Sequence, residues 1–141
     1  MVGSHYPNGF SGGVSVRGMP ILNVYGGNVF WVDSVSGSNS YDGTEKRPFA
    51  DLDYTVGKCT ANNGDIIMVK AGSAFTVSAA GGLDLDVAGI SIVGLGQGVD
   101  QPTITLDTVT TADIDVDAAS ITVENINLVA NFADIAVIFD V

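Results

Sequence analysis

Gly82-Leu83-Asp84-Leu85-Asp86-Val87-Ala88-Gly89-Ile90-Ser91-Ile92-Val93-Gly94-Leu95-Gly96 alternates apolar and polar residues, breaks at Gly89, and alternates again. Successive side chains of a strand point to opposite faces, so Leu83, Leu85 and Val87 fall on one side and Asp84 and Asp86 on the other. Residues 113–128, DIDVDAASITVENINL, repeat the pattern. Leu85-Asp86-Val87 matches Ile114-Asp115-Val116, Ile90-Ser91-Ile92 matches Ile121-Thr122-Val123, and Gly94-Leu95 matches Asn125-Ile126. Pro102-Thr103-Ile104-Thr105-Leu106 and Phe75-Thr76-Val77 read as further strands, and a third pass opens at Ala133-Asp134-Ile135-Ala136-Val137. Short alternating strands that recur after roughly 20–30 residues with no helix between them point to a β-solenoid. One coil cannot bury its inward side chains alone, and stacking the next coil does so. Gly89, Gly94, Ala118-Ala119 and Asn125 are the candidate bends between strands. The rival architecture is an antiparallel sandwich or jelly roll, which also spaces short strands regularly.

Upstream, residues 28–72 read as a unit that starts the stack. Val29-Phe30-Trp31-Val32 is β-branched and aromatic, which suits a half-buried strand. Residues 34–44 hold Gly37, Asn39, Asp42 and Gly43, which are turn residues. Pro48 opens a short amphipathic segment with Phe49, Leu52, Val56 and Cys59 on one stripe, so a helix from Phe49 to about Cys59 is expected. Asn63-Gly64-Asp65 is a turn, and Ile66-Ile67-Met68-Val69 is a buried strand. The helix is placed as a cap over the apolar end beneath the first coil. Asp33, Asn39 and Asp42-Gly43 also have the look of an oxygen-rich cation loop, but their spacing matches no EF-hand, and the turn reading is preferred.

The 141 residues amount to one domain, and with 46% hydrophobic residues and a mean hydropathy of +0.36 the chain has enough apolar surface to bury a core. Glycine at 18 of 141, with only 4 prolines, fits many turns between short elements. No apolar run approaches the roughly 18–20 residues of a membrane span, and the first residues lack the basic and apolar regions of a secretory signal. The one cysteine, Cys59, excludes an internal disulfide and reads as a buried structural thiol. The net charge is −11. Lys and Arg occur only at positions 17, 46, 47, 58 and 70, and residues 71–141 hold ten acidic residues and no basic one. Such a surface repels phosphate backbones, which argues against nucleic acid as a partner. Residues 1–27 show no compact unit and read as an extended arm ahead of the β domain at 28–141, itself divided into a cap unit (28–72) and coils (73–141). His5 lies alone on that arm, so no serine-type triad or metal cluster is expected.

The stretches FWVDS, SGSNSYDGT and RPFADLDYTVGKCTANNGDIIMVKAG together resemble the opening of right-handed parallel β-helix proteins of the pectate-lyase-like kind: a strand, a Gly/Asn/Asp loop, a cap helix containing Pro-Phe, and a Gly-Asp turn into the first coil. GISIVGLG resembles their coil signature. With YPNG near the start and VANFADI near the end, the chain is more specifically similar to bacteriophage virion proteins of that fold, which decorate heads or form tail parts. The resemblance covers residues 28–138. It implies an all-β chain folded as a short right-handed parallel β-helix with an N-terminal cap helix and an extended arm. It departs in length, since such β-helices run for many coils and this one has room for two to three.

Enzymes of that fold use Asp clusters with Lys or Arg along one face. Asp84, Asp86, Asp113, Asp115 and Asp117 lie on outward positions and would stack in neighbouring coils, as a carboxylate pair for glycoside hydrolysis, as hard oxygen ligands for Ca²⁺, or as solvated charges that blunt sheet edges. No Lys or Arg lies in these coils and aromatics are few, so the solvated reading is preferred, with no catalytic residue, cofactor or metal assigned. An open end at Ala133–Val141 would expose core side chains and strand edges, an association hazard. It could pack on copies of itself, dock on a larger assembly, or be continued in a longer β-helix. The expectation is therefore a non-enzymatic capsid decoration (cement) protein on the exterior of a tailed-phage head, assembled in the host cytoplasm. Its partners would be the major capsid protein and itself, as a homotrimer, with no nucleic acid and no membrane. Tyr6, Phe10, Met19, Ile21 and Tyr25 on the arm are the candidate contact residues. The alternative is a tail spike or fibre that binds or cleaves host glycans.

Overall fold

The computed structural model describes residues 26–141 and, ahead of them, the backbone pairing of β1 (Ser15–Val16) with β2 (Met19–Pro20), which is antiparallel. Tyr6, Phe10, Ile21 and Tyr25 fall outside the described residues, and for Met19 only the backbone partner, Val16, is described.

The body is all-β and built from parallel strands. Its elements are β3 (Val29–Val32), α1 (Leu52–Val56), β4 (Ile66–Val69), β5 (Ala74–Val77), β6 (Leu83–Asp84), β7 (Ser91–Gly94), a 3-10 turn at Gly98–Asp100, β8 (Thr103–Leu106), β9 (Ile114–Asp115), β10 (Thr122–Glu124), β11 (Asn127–Ala130) and β12 (Phe139–Asp140). They form three sheets, ordered β10-β7-β4-β3, β11-β8-β5 and β12-β9-β6. Every pairing in these sheets is parallel, where an antiparallel sandwich would alternate direction. β3 and β4 are neighbours in the first sheet, and from β4 onward the chain visits the three sheets in rotation, one strand in each, before returning to the first. Ile66 pairs with Ser91 and Ser91 with Thr122, offsets of 25 and 31 residues, which matches the repeat read from the sequence.

Because pairing is in register, inward side chains stack in columns. Phe30, Ile67, Ile92 and Val123 form one column, Phe75, Ile104 and Leu128 a second, and Leu83, Ile114 and Phe139 a third. Ile67, Leu85, Ile90, Ile92, Leu106 and Ile114 are fully buried. Each such side chain contributes roughly 1.5–3 kcal/mol by leaving water, which is why strands of only two to four residues hold together.

The helix is shorter than expected. Asp51 caps it, accepting from Tyr54 N at 2.9 Å, and Gly57 ends it. Asn39 Oδ1 accepts the amides of Ala50 and Asp51 and holds them outside the helix. Phe49 instead bridges Val32 in extended form. Its ring lies 5.3 Å from Tyr54, edge-on. Cys59 follows in a single turn, half-buried, its thiol donating to the Thr55 carbonyl, and burial pushes that thiol up to about 12. It is an unreactive structural group. Leu52 and Val56 of α1 join the core cluster, and the helix packs on β3 and β6.

Two other sequence expectations shift by a few residues. The third pass does not begin at Ala133: Asp134 has φ +62, residues 133–134 turn and 135–137 are irregular, so the strand is Phe139–Asp140. Gly94 is no bend but the end of β7, with the Asn125 carbonyl directly against it. The other candidate bends hold: Gly89 (φ +76) and Asn125 (φ +55) are left-handed, and the bend at Ala118-Ala119 runs on to a left-handed Ser120 (φ +61).

Candidate functional site

The repeat places carboxylates on the outer face of the third sheet. In β6 Leu83 turns in and Asp84 out, and in β9 Ile114 turns in and Asp115 out. Asp84 pairs with Asp115, and Asp115 with Asp140 on β12. Strand spacing puts successive backbones about 4.8 Å apart, so these residues form a ladder of like charge. Asp86 and Asp117 extend it on one side. On the other, Asp113 accepts the amide of Gly81. Asp53, from the first turn of α1, joins from below by accepting the amide of Asp84 at 3.0 Å.

The pairing corrects the sequence alignment by two residues. Leu83-Asp84, not Leu85-Asp86, lies beside Ile114-Asp115. A two-residue slip leaves the in-and-out pattern unchanged, so alternation alone cannot detect it. The match of Ile90-Ser91-Ile92 with Ile121-Thr122-Val123 holds in the structure, where Ser91 pairs with Thr122 and Ile92 with Val123.

Burial raises the pKa of Asp84, and the charges of Asp86, Asp117, Asp115 and Asp53 raise it further. Its Oδ1 is buried without a hydrogen-bond partner among the described residues. Burial likewise raises Asp115, followed by Asp117, Asp140 and Asp113. A carboxyl raised in the fold binds its proton more tightly there than in the unfolded chain. Folding stability is therefore expected to rise as pH falls from neutral through the folded pKa, until the unfolded groups protonate near pH 4. Thermal unfolding should show a higher midpoint at pH 5 than at pH 7.5. Asp115→Asn should raise the pH 7.5 midpoint and flatten the rise, whereas Asp134→Asn, an equal charge change away from the ladder, should do neither. A midpoint that falls steadily from pH 7.5 to 5 would contradict this reading.

The ladder offers oxygen donors in a row rather than in a shell. Among the described residues no three acidic, cysteine or histidine side chains converge as metal ligands. A cleft of about 280 Å³ lies beside it, lined by Ala80, Thr110, Thr111, Asp113, Ala136 and Val137. Its one carboxylate, Asp113, is the group already engaged by Gly81. The described basic side chains sit elsewhere: Arg47 pairs with Asp42 at 3.8 Å and lies over Tyr41, and Lys58 lies over Tyr54.

The two carboxylates of the polar loop at 33–44 are engaged mainly by their near neighbours in sequence. Asp33 accepts from Val35 N, Ser36 N and Ser36 Oγ, and Asp42 accepts from the amide and hydroxyl of Thr44. Burial pushes Asp33 up, but these bonds and the Lys70 charge hold it below its ordinary value. Sequence reasoning treated Asp65 as turn punctuation only, and it is the most deeply buried carboxylate among the described residues. Fully buried, it accepts from Asn28 N at 2.6 Å, Thr60 N at 2.7 Å and Asn63 Nδ2 at 2.7 Å. The signal available was its place immediately before the apolar run of β4, where a charge must be satisfied or excluded.

A second surface stands out at the last turn. Val123, Leu128 and Phe139 are 42%, 38% and 43% exposed, whereas their column partners Ile92, Ile104 and Ile114 are 1%, 3% and 1% exposed. Among the described residues β10, β11 and β12 each pair on one side only. Val129, Phe132, Val137 and Ile138 add to the same apolar surface. Comparisons with protein-family models, curated proteins and solved structures find no match to the chain. Among the described residues no helix is long and apolar enough to cross a membrane.

Proposed function

We propose that the chain is a short right-handed parallel β-helix and that it serves as a bacteriophage structural protein, a capsid decoration (cement) protein that binds and stabilises the head shell. The right hand follows the general preference of crossovers between parallel strands. The rotation through three parallel sheets, begun beside a short helix, supports the β-helix reading, which came first from the resemblance of residues 28–138. The observation that carries the assembly role is the apolar last turn, a surface whose equivalents one turn below are buried. Apolar surface of that kind with free strand edges gains by being covered. In this reading the body associates with copies of itself as a trimer on the outside of the head, and the arm reaches the major capsid protein through Tyr6, Phe10, Met19, Ile21 and Tyr25. No cofactor takes part.

The test is deletion of residues 1–25 followed by incubation with undecorated heads. The expected result is a soluble β-rich protein that no longer co-sediments with particles. Normal decoration by the truncated protein would remove the arm from the proposal. The carboxylate ladder favours a second reading, a tail protein acting on host glycans. Cleavage of a capsular polysaccharide by the purified protein, abolished in Asp113→Asn or Asp115→Asn, would replace decoration with that activity.

A further inference from the structure

We infer that the edge of β5 facing away from β8, with the cleft beside α1, is the docking site for an extended segment of another protein that carries an apolar side chain next to a lysine or arginine. The inference rests on residues 28–107 and goes beyond the proposed virion role.

β3, β5 and β6 each end a sheet. The chain covers two of these three edges itself. Along β3, Trp31 N donates to the Gly43 carbonyl, Phe49 N to the Trp31 carbonyl and Asp33 N to the Phe49 carbonyl. Along β6, Asp84 N donates to Asp53 of α1. Along β5 only the first residue is engaged, where Ala74 N donates to Ser34 Oγ at 2.8 Å. Thr103 N and Asp107 N donate to the carbonyls of Ser73 and Val77, so Phe75 and Val77 direct their backbone groups to β8 while Ala74 and Thr76 direct theirs to the open side. Thr76 is exposed, and its amide and carbonyl have no hydrogen-bond partner among the described residues. The cause lies in the chain path. After the loop that follows β3, Phe49 bridges back to the first sheet and α1 packs on β3 and β6, so no strand is laid beside β5. The gap runs the four residues of β5, about 13 Å at about 3.3 Å per residue.

The gap opens on a cleft of about 40 Å³ whose lining includes Leu52, Phe75, Leu83 and Ile104 together with Asp51 and Asp53. Phe75 points inward yet is only partly buried, unlike Ile104 in the same column. A strand laid beside β5 puts one side chain against Phe75 in this apolar cleft and turns the next one outward. Its main chain supplies the partners that Thr76 lacks, the mode by which extended peptides add to an open sheet edge. Charge selects the partner. Asp51 and Asp53 line the cleft, Asp84 beside Asp53 adds a third carboxylate, and no Lys or Arg is in the lining. A basic segment is attracted there and an acidic one repelled. Residues 71–141 hold ten acidic residues and no basic one, so a strand from that part of a second copy is disfavoured.

Fluorescence anisotropy on the full-length protein tests this with short labelled peptides. The probe alternates lysine and valine, and the controls alternate lysine with glycine and glutamate with valine. The lysine-valine peptide should bind one to one and about tenfold or more tighter than the lysine-glycine peptide, the weight of one buried valine side chain, and the glutamate-valine peptide should not bind. Thr76→Pro removes the amide at the open edge, a position where proline is tolerated. It should bring the lysine-valine peptide down to the lysine-glycine level with an unchanged circular dichroism spectrum. Asp53→Asn keeps an acceptor for Asp84 N and should weaken binding roughly threefold, whereas Asp134→Asn should leave it unchanged. Hydrogen exchange at the Thr76 amide should slow when the lysine-valine peptide is added. Equal binding of the two lysine peptides, which is attraction to net charge alone, full binding by Thr76→Pro, or unaltered exchange at Thr76 would each overturn the proposal. So would a Thr76 amide that becomes protected as the protein alone is concentrated, because a second copy would then fill the edge. If Thr76→Pro unfolds, the peptide comparison and the exchange measurement on the unaltered protein give the decision.

Discussion

Asp65→Ala is expected to lower folding stability by about 3–5 kcal/mol, since it strips the buried acceptor from three partly buried donors at once, and each orphaned donor costs roughly 1–3 kcal/mol. The Asp65 carboxylate ties Asn28, just before β3, to the Thr60–Asn63 turn just before β4, and Ile66 N returns a bond to the Asn28 carbonyl. These bonds set the register of the first parallel pair, on which each later strand of that sheet is stacked. Burial raises the Asp65 carboxyl, but the bonds from Thr60, Asn28 and Asn63 outweigh it and hold the group below its ordinary value. A depressed pKa makes the contribution present above the unfolded value of about 3.9 and lost as pH falls below it. Asp65→Asn keeps one acceptor oxygen but turns an amide toward the donors, so a smaller loss is expected, about 2 kcal/mol. Urea denaturation at pH 7 measures both. A change under 1 kcal/mol for Asp65→Ala would show that water replaces the carboxylate without cost.

Gly94→Ala is expected to destabilise by about 3 kcal/mol or more, the upper range for an overpacked core. Gly94 is buried at the end of β7, paired with Val69 on one side. A Cβ there would collide with the Asn125 carbonyl oxygen and crowd Ile126. Those atoms are backbone and core, so they cannot swing away as a flexible side-chain tip would. The Asn125 side chain also donates to the carbonyls of Gly94 and Gly96, at 2.8 and 2.9 Å, stitching the last turn to the one below. The variant should therefore loosen β10 and β11 first, visible as faster amide exchange at Thr122–Ala130 than in the β3–β4 pair. Gly26→Ala, where a Cβ meets nothing, is the control, expected within about 0.5 kcal/mol. Equal stability of Gly94→Ala and Gly26→Ala would mean the last turn is not packed as described.

Alternation in residues 83–86 and 113–116 was enough to assign Leu83, Leu85 and Ile114 to the interior and Asp84 and Asp115 to the surface, because side-chain direction in a strand is a local property. The recurrence after roughly 20–30 residues was enough to expect stacked strands without helices between them. The shared chemistry of Ser91–Ile92 and Thr122–Val123 located one column correctly. The register of the third sheet was not legible, since Leu85 and Leu83 are equally good partners for Ile114 on pattern alone. The helix ends were not legible either: Phe49 is in phase with Leu52 and Val56, yet Asn39, ten residues earlier, holds the intervening amides outside the helix.

The sequence by itself determined which side of each strand is apolar, that the charges lie outside it, and that residues 71–141 carry no cation to offset them. Those facts depend on residue order and on the two-residue period of the extended chain. Only the tertiary structure decided that Asp84, Asp115 and Asp140 are neighbours, that Asp65 is buried and satisfied, and that Leu128 is open while Ile104 beneath it is closed. Each of these depends on which strands lie side by side across offsets of 24 to 37 residues, from Thr103–Asn127 to Val29–Ile66. That pairing is fixed by the packing of the whole stack and not by any one segment of it.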